Sequence, residues 1–318
     1  MNTSKKLERD FVRADLAAVT NLLSRLGEED VMTRMGLESR QEELRSTIAQ
    51  LENLPEEEAA SAALFFGGAP VVGTRGIESA FATEAIGKFQ ELVSKVLADE
   101  AGGLATRGVV PHRQVSTLHI TQIVRGSFGF LLEEVQPAEG AVPASLKTAV
   151  DETTRILDAF GASDEEQFQS AAEGLDNRIL ATTREFFGLM NQRGATFRLV
   201  AGDNDRTFSA QRVTLAAERA STTNLEESEE SAYGRLIGTL PDSHIFEFVL
   251  RSGQVVKGKV QKTLTRDQLL TFNRTLVDVD ANIRWRVKRV RRSEEVVRES
   301  YTMVDLAPAL PSLPISSS

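Results

Sequence analysis

The 318-residue chain contains no cysteine, one tryptophan, two tyrosines and three histidines. The missing cysteines exclude disulfides, thiolate metal sites, iron–sulfur clusters and cysteine nucleophiles. No apolar run approaches the roughly 18 residues that indicate a membrane-spanning helix, and residues 1–10 lack the apolar stretch of a secretion signal. These absences predict a cytoplasmic protein with no membrane partner, whose core is stabilised by packing alone.

Charge is divided unevenly along the chain, whose net charge is −9. Residues 233–306 carry fourteen Lys/Arg and nine Asp/Glu, a net charge of +5, which leaves −14 for the remainder. The overall negative charge argues against generic attraction to nucleic acid or anionic lipid, although a basic segment can bind a polyanion locally. With 41% hydrophobic and 26% charged residues, the composition is that of a globular protein of two or three units.

Residues 1–60 predict a helical hairpin. Apolar residues recur at helical spacing from Phe11 to Leu26 and again from Leu37 to Leu54, and Gly27 with the acids that follow it separates the two runs. A helix pair with an apolar stripe must bury that stripe against the rest of the protein or against a second copy. This requirement predicts self-association, so we expect a homo-oligomer.

Residues 61–222 predict a mixed α+β domain. Strand patterns come first, followed by a helix over 79–99. The runs Leu118–Val124 and Phe128–Val135 flank Gly126-Ser127, which is a favourable two-residue turn, so they predict a β-hairpin. Four further helical patterns follow, over 144–160, 164–174, 176–192 and 210–220.

The last part of the chain predicts a small β-barrel. Residues 223–232 are acidic and short of apolar groups, which predicts a linker. The segment 233–306 then shows five strand patterns, with a short helix between the third and the fourth. The strands are Gly234–Leu240, Ile245–Leu250, Val255–Val260, Val277–Val287 and Val297–Leu306. This order predicts a five-stranded barrel of the oligonucleotide/oligosaccharide-binding (OB) type. The fold class is therefore α+β, with 307–318 as a disordered tail.

Basic residues concentrate on the fourth strand of this barrel. The strand alternates apolar and polar residues, so one face is buried and the other is solvated. The cluster, with two lysines from the third strand, comprises Lys257, Lys259, Arg284, Arg286, Lys288, Arg289, Arg291 and Arg292. Such a cluster can neutralise a phosphate backbone or an acidic protein surface. The alternatives are a solvated strand face, or a patch that the protein's own acidic residues cover.

Candidates for catalysis and metal binding are incomplete. His119 and Thr121 resemble one half of the active site of the two-histidine phosphoesterases, but the second His-apolar-Thr motif is missing, so there is no acid–base pair. Asp278 and Asp280 share one face of the predicted fourth strand, and with a third carboxylate they would bind magnesium. No third ligand is identifiable. The sequence predicts no cofactor.

These observations favour a non-catalytic cytoplasmic binding or assembly protein. It self-associates and engages another macromolecule, preferably a protein, through its C-terminal barrel. The alternative is a nucleic-acid-binding protein that uses the basic face of the barrel. A third hypothesis is a phosphoesterase or nuclease built on His119 or on the two aspartates.

Overall fold

A computed structural model describes residues 3–27, 30–53, 59–102, 104, 108–111, 114–124, 128–135 and 145–309. Over these residues the chain is a mixed α+β protein with eight helices and three sheets. It divides into two compact units. The first comprises Met1–Asp164 and Asp176–Ser221, and the second comprises Glu165–Leu175 and Thr222–Ser318. None of the helices in the described ranges has the length and hydrophobicity needed to span a bilayer.

The first fourteen elements precede the C-terminal sheet. In chain order they are α1 (Thr3–Arg25), α2 (Val31–Asn53), β1 (Ser61–Gly68), β2 (Val71–Val72), β3 (Gly76–Ile77), α3 (Ser79–Glu100), β4 (His119–Val124), β5 (Phe128–Glu133), α4 (Leu146–Gly161), α5 (Glu165–Gly174), α6 (Asn177–Gln192), β6 (Ala195–Ala201), β7 (Asn204–Phe208) and α7 (Ala210–Thr222). Helix α5 belongs to the second unit, although the segments on both sides of it belong to the first.

The two N-terminal helices pack against each other as a helical hairpin. Val12 and Val19 on α1 are seven residues apart, as are Leu44 and Leu51 on α2, so each pair lies on one face of its helix. These four side chains form the buried core of the hairpin. Each helix of the hairpin therefore covers the central part of the apolar stripe of the other, whereas Phe11 and Leu22 remain exposed.

The main sheet of the first unit is antiparallel throughout, with the strand order β4-β5-β1-β6-β7. Strands β4 and β5 pair as the predicted hairpin, whose predicted turn at Gly126-Ser127 lies outside the described residues. Helices α3, α4 and α6 pack together, and α4 and α6 contact the sheet. Phe66 of β1 meets Phe81 of α3 edge to face, with ring centroids 5.4 Å apart. The opposite face packs on α1 through Leu7, Ala63, Phe65, Leu131 and Val200.

The second unit is built around a closed ring of five strands. Its elements are β8 (Thr223–Leu240), β9 (Ile245–Leu250), β10 (Val255–Val260), α8 (Arg266–Thr275), β11 (Asp280–Arg292) and β12 (Glu295–Pro308). Around the ring the order is β8-β9-β10-β12-β11 and back to β8. All neighbours are antiparallel except β10 and β12, which run parallel. Helix α8 begins with a capping box formed by Thr265 and Gln268.

Aromatic side chains fill the interior of the ring. Trp285 is buried and has Phe246, Phe248 and Tyr301 around it, with ring centroids 4.9 to 6.2 Å from its own. Glycine is required where β10 approaches β12, because a Cβ on Gly258 would lie 2.3 Å from the carbonyl oxygen of Tyr301. A side chain at this position would therefore push apart the parallel strands that close the ring.

Three boundaries predicted for the second unit need correction. Residues 223–232, predicted as an acidic linker, form the first half of β8 and pair with β11. The helix predicted over 164–174 is α5, but it packs on β11 and β12 rather than in a middle domain. Strand β12 continues to Pro308. The linker prediction relied on the lack of apolar groups, which a strand does not need when its neighbour carries the opposite charge. Residues 310–318 of the predicted tail lie outside the described residues.

We expect Gly258→Ala to destabilise the second unit by about 1–3 kcal/mol, as overpacked positions do. Gly238→Ala on β8 is the matched control, because a Cβ added there has nothing within 4 Å. Trp285 is the only tryptophan of the chain, so its fluorescence during urea unfolding reports on this unit. Equal unfolding midpoints for the two variants would contradict the close approach at the ring closure.

Candidate functional site

Most of the predicted basic cluster is engaged in ion pairs. Six of its eight residues pair with carboxylates: Lys257 with Glu247, Arg284 with Asp305, Arg286 with Glu227 and Glu229, Arg289 with Glu230 and Glu299, Arg291 with Glu226, and Arg292 with Glu165. Lys288 donates a hydrogen bond of 2.5 Å to the carbonyl oxygen of Leu175. Lys259 is exposed and has no ion-pair partner in the described part of the chain.

The first half of β8 supplies four of the eight opposing carboxylates. Strands β8 and β11 run antiparallel with Ser228 opposite Val287, so the acidic run of β8 is in register with the basic run of β11. Glu227 and Glu229 lie 3.0 and 3.8 Å from guanidinium nitrogens of Arg286. Opposite charges on facing strand positions contribute roughly 0.2–1 kcal/mol per pair. The segment predicted as a linker is therefore the electrostatic counterpart of the basic strand.

Helix α5 supplies a second set of acids. Its Glu165 pairs with Arg292 at 3.2 Å, and its Glu166 and Glu173 pair with Arg298 of β12. The cations on this side of β11 and β12 thus face carboxylates from a segment far away in the sequence. Of the alternatives that the sequence left open, these contacts favour the patch covered by the protein's own acidic residues.

The charge of the whole second unit differs from that of the predicted barrel. Residues 165–175 and 222–318 together carry fourteen Lys/Arg and sixteen Asp/Glu, a net charge of −2, compared with +5 over 233–306. The difference comes from the seven carboxylates of α5 and the first half of β8. A unit without excess positive charge has little long-range attraction for a polyanion. This balance weighs against nucleic-acid binding on β11.

Arg289 is the centre of a polar cluster beside the aromatic core. Its guanidinium donates to Glu230 at 2.6 Å and to Glu299 at 2.8 Å, while the Tyr301 hydroxyl donates to Glu299 at 2.7 Å. The pKa of Glu230 is lowered, mainly by the hydrogen bond from Arg289, and the pKa of Glu299 is lowered, mainly by the one from Tyr301. Burial, with the bond to Glu299, raises the pKa of Tyr301 to about 12. These donors and acceptors satisfy one another, so the cluster acts structurally.

The catalytic candidates His119 and Thr121 both lie on β4. The Thr121 hydroxyl donates to the Glu133 carboxylate at 2.5 Å. His119 is exposed at a groove of about 700 Å³ whose lining is mainly apolar. A second histidine is not available to it among the described residues of the first unit, since His112 lies outside them and His244 belongs to the second unit.

Asp278 and Asp280 do not share a strand face. Strand β11 begins at Asp280, whereas Asp278 lies in the preceding turn with φ of 59°, in the left-handed region. The amide of Asp278 donates to the carbonyl oxygen of Leu236 at 3.0 Å, which holds the turn. Over the residues that the structure describes, no group of three or more His, Asp or Glu could hold a metal ion. The alternation predicted from Val277 therefore starts three residues later, and the two carboxylates gain no third ligand.

A group of exposed apolar side chains lies on the outer side of β8, β9 and β10. Five of them are between 39% and 60% exposed: Tyr233, Ile237, Leu240, Ile245 and Val255. We call this surface the β8–β10 face, and it also includes Arg235, Glu247, Val249, Arg251, Lys257 and Lys259.

Cross-strand pairs give the β8–β10 face its order. Two apolar pairs lie on either side of an ion pair, namely Leu240 with Ile245, Glu247 with Lys257, and Val249 with Val255. The guanidinium of Arg251 lies over the ring of Tyr233, 5.4 Å from its centroid, in a cation–π contact. Arg235 and Lys259 have no ion-pair partner within the described ranges, so they remain available to a ligand.

The sequence predicted binding residues mainly on β11, and only Lys257 and Lys259 of that set lie on the β8–β10 face. A usable signal was present in β9, where apolar residues occupy both alternating positions. Phe246 and Phe248 point into the ring and are buried, whereas Ile245 lies on the outer side. An antiparallel strand with one solvated face normally alternates apolar and polar residues, so an apolar outer side departs from that pattern.

No protein-family model, curated protein sequence or solved structure matches this chain. Its function is therefore inferred from the geometry and chemistry of its own residues.

Removing the cation of the polar cluster should destabilise the second unit more at neutral pH than at acid pH. The folded-state pKa values of Glu230 and Glu299 are below their ordinary value of 4.5. Their contribution to stability is therefore present above that value and is lost as the pH falls through the folded-state pKa. Arg289→Met should lower the free energy of unfolding by about 1 kcal/mol near pH 7, since partly exposed ion pairs contribute roughly 0.2–1 kcal/mol each.

At pH 3, below the ordinary value of 4.5, the effect of Arg289→Met should be smaller, because it declines as the pH falls toward the folded-state pKa values of the two carboxylates. Urea unfolding followed by Trp285 fluorescence at the two pH values measures this difference. Lys262→Met, at an exposed position outside the cluster, is the control. A loss of stability that is the same at both pH values would contradict the role given to the two carboxylates.

Proposed function

We propose that this chain is a non-catalytic binding protein whose C-terminal ring engages a protein partner through the β8–β10 face. The observation that carries this proposal is the ordered set of exposed apolar side chains on that face, next to two cations without ion-pair partners among the described residues. Contiguous apolar patches rimmed by polar groups mark interaction sites on soluble proteins.

The topology of the ring supports a binding role. Counted from β8, the strands follow the order first, second, third, fifth, fourth, with a parallel contact between the third and the fifth. Helix α8 lies in the chain between the third and the fourth. We infer an OB-type barrel, in which the face of the second and third strands carries the ligand. In this chain those strands are β9 and β10, which are two of the three strands of the β8–β10 face. Because a fold does not define its ligand, the side chains must indicate the partner.

The side chains of the β8–β10 face favour a protein over a nucleic acid. Single-stranded nucleic acids are bound by aromatic stacking platforms beside a row of cations. Tyr233 is the one aromatic residue among the five exposed apolar side chains. Trp285 lies inside the ring and offers no stacking surface on this face. A Tyr–Arg contact and aliphatic pairs are typical of the centre of a protein interface. We expect the partner to present an apolar segment, with carboxylates opposite Arg235 and Lys259.

A photo-crosslinking amino acid at Ile245 of the full chain, in the cells that produce it, should capture one polypeptide reproducibly. The same group at Val72, an exposed position in the first unit, should not capture that polypeptide. With the purified partner, Ile245→Asp should weaken binding by at least about tenfold, because changes at an interface centre often cost 2 kcal/mol or more. Val72→Asp should leave the affinity unchanged. Equal capture at the two positions, or equal affinity of the two variants, would contradict the proposal.

Nucleic-acid binding gives a distinct outcome that can be measured directly. Fluorescence anisotropy with labelled single-stranded DNA and RNA should show no binding tighter than the non-specific range of about 10⁻⁴–10⁻⁶ M. The opposite result would be submicromolar binding that falls steeply with salt and is lost in Arg286→Glu. That result would overturn the proposed protein partner in favour of the basic face of β11.

A further inference from the structure

Among the residues that the structure describes, the main sheet of the first unit has one edge protected by charge and one edge without charged residues. At the edge formed by β7, Asp205 pairs with Arg198, and Arg206 pairs with Asp158. At the other edge, β4 reads His-Ile-Thr-Gln-Ile-Val, with no Lys, Arg, Asp, Glu or Pro. No strand of the described residues pairs with the outer side of β4. Sheet edges are usually protected by charge, proline or a covering element, because their free backbone groups attract another strand.

A β-bulge places the two isoleucines of β4 on the same face. Ile120 lies opposite Leu132 and Ile123 lies opposite Phe130, with Thr121 as the extra residue between them. Leu132 and Phe130 are two positions apart on β5, so they share a face, and their partners share it too. The isoleucines are 53% and 64% exposed. The unprotected edge is therefore also apolar on one side.

We propose that β4 pairs with β4 of a second copy of this chain, antiparallel about a twofold axis, which joins two five-stranded sheets into one of ten strands. The order of residues in β4 is self-complementary in polarity. An axis between Thr121 and Gln122 sets Ile120 opposite Ile123 of the second copy, and Thr121 opposite Gln122 of the second copy. No charges of like sign face each other, and the apolar pairs stabilise the strand pairing. A twofold interface of this kind uses the same patch on both copies and is closed.

The helical hairpin is the competing location for self-association. Four residues of its apolar stripe are buried between α1 and α2, which reduces the apolar surface that an oligomer would cover there. Exposed apolar residues remain near its tip, including Leu22 and Met32. Leu22 has the same exposed fraction as Ile120, 53%, and supplies a matched control. The pairing of β4 is independent of the function proposed for the ring.

Light scattering of the full chain over a concentration series tests the pairing. A six-residue strand edge is a small interface, so we expect the mass to rise from 34.8 kDa toward twice that value between about 5 and 200 µM. Ile120→Lys should remain monomeric, because it places a charge against the isoleucine of the second copy. Leu22→Lys should associate like the wild type. A wild type that stays monomeric, or an Ile120→Lys variant that still dimerises, would overturn the proposal.

Cross-linking tests the register and does not depend on the lysine variant folding. The chain has no cysteine, so Ile120→Cys and Ile123→Cys chains can be mixed and oxidised mildly. The pairing puts the two thiols opposite each other, with Cα atoms about 4.5–5.5 Å apart, within the range of a disulfide. The mixture should give several-fold more covalent dimer than either variant alone or a mixture of Leu22→Cys with Ile123→Cys. Equal yields in all these samples would overturn the pairing.

Discussion

The second unit depends on the pairing of β8 with β11. Thirteen consecutive residues of β11 face β8 without a register shift, and the pairing sets an acidic run against a basic one. The same contact contributes to closing the ring and neutralises cations that would otherwise repel one another along β11. Helix α5 adds its carboxylates to the same pair of strands, through Arg292 and Arg298. The cations of this region therefore pair with carboxylates of the same unit.

Because these cations are paired with carboxylates, the binding surfaces that we propose are those that expose apolar side chains. The β8–β10 face and the outer edge of β4 are both strand surfaces, and both expose apolar side chains at positions that are usually polar or charged. They lie in different units, and the occupants proposed for them differ, a protein partner for the ring and a second copy for the sheet edge. A dimer joined at β4 would present two rings, and two linked binding sites raise the avidity for a partner that can reach both.

Local patterns predicted the elements whose stability is local. The helical hairpin, the pairing of β4 with β5 and the five strands of the ring follow from apolar periodicity and turn residues, and all of them are present. The acidic first half of β8 was predicted as a linker because a segment without apolar residues does not form a strand by itself. The binding site predicted from the sequence and the one proposed from the structure differ for a related reason. The basic residues of β11 form a conspicuous pattern, whereas the signal in β9 is weaker, because it consists of apolar residues at both alternating positions of a short strand.

The sequence by itself determined that the chain has no thiol chemistry and that it folds as an α+β protein. It also determined that Trp285 lies on the buried side of its strand, because alternation along a strand is a property of neighbouring residues. Only the tertiary structure decided which charges meet. Arg292 and Glu165 are 127 positions apart, and nothing in the residues around either one indicates the other. Ion pairing depends on distance in space. The pairing of these cations with carboxylates is therefore visible only in the folded arrangement of the strands and α5.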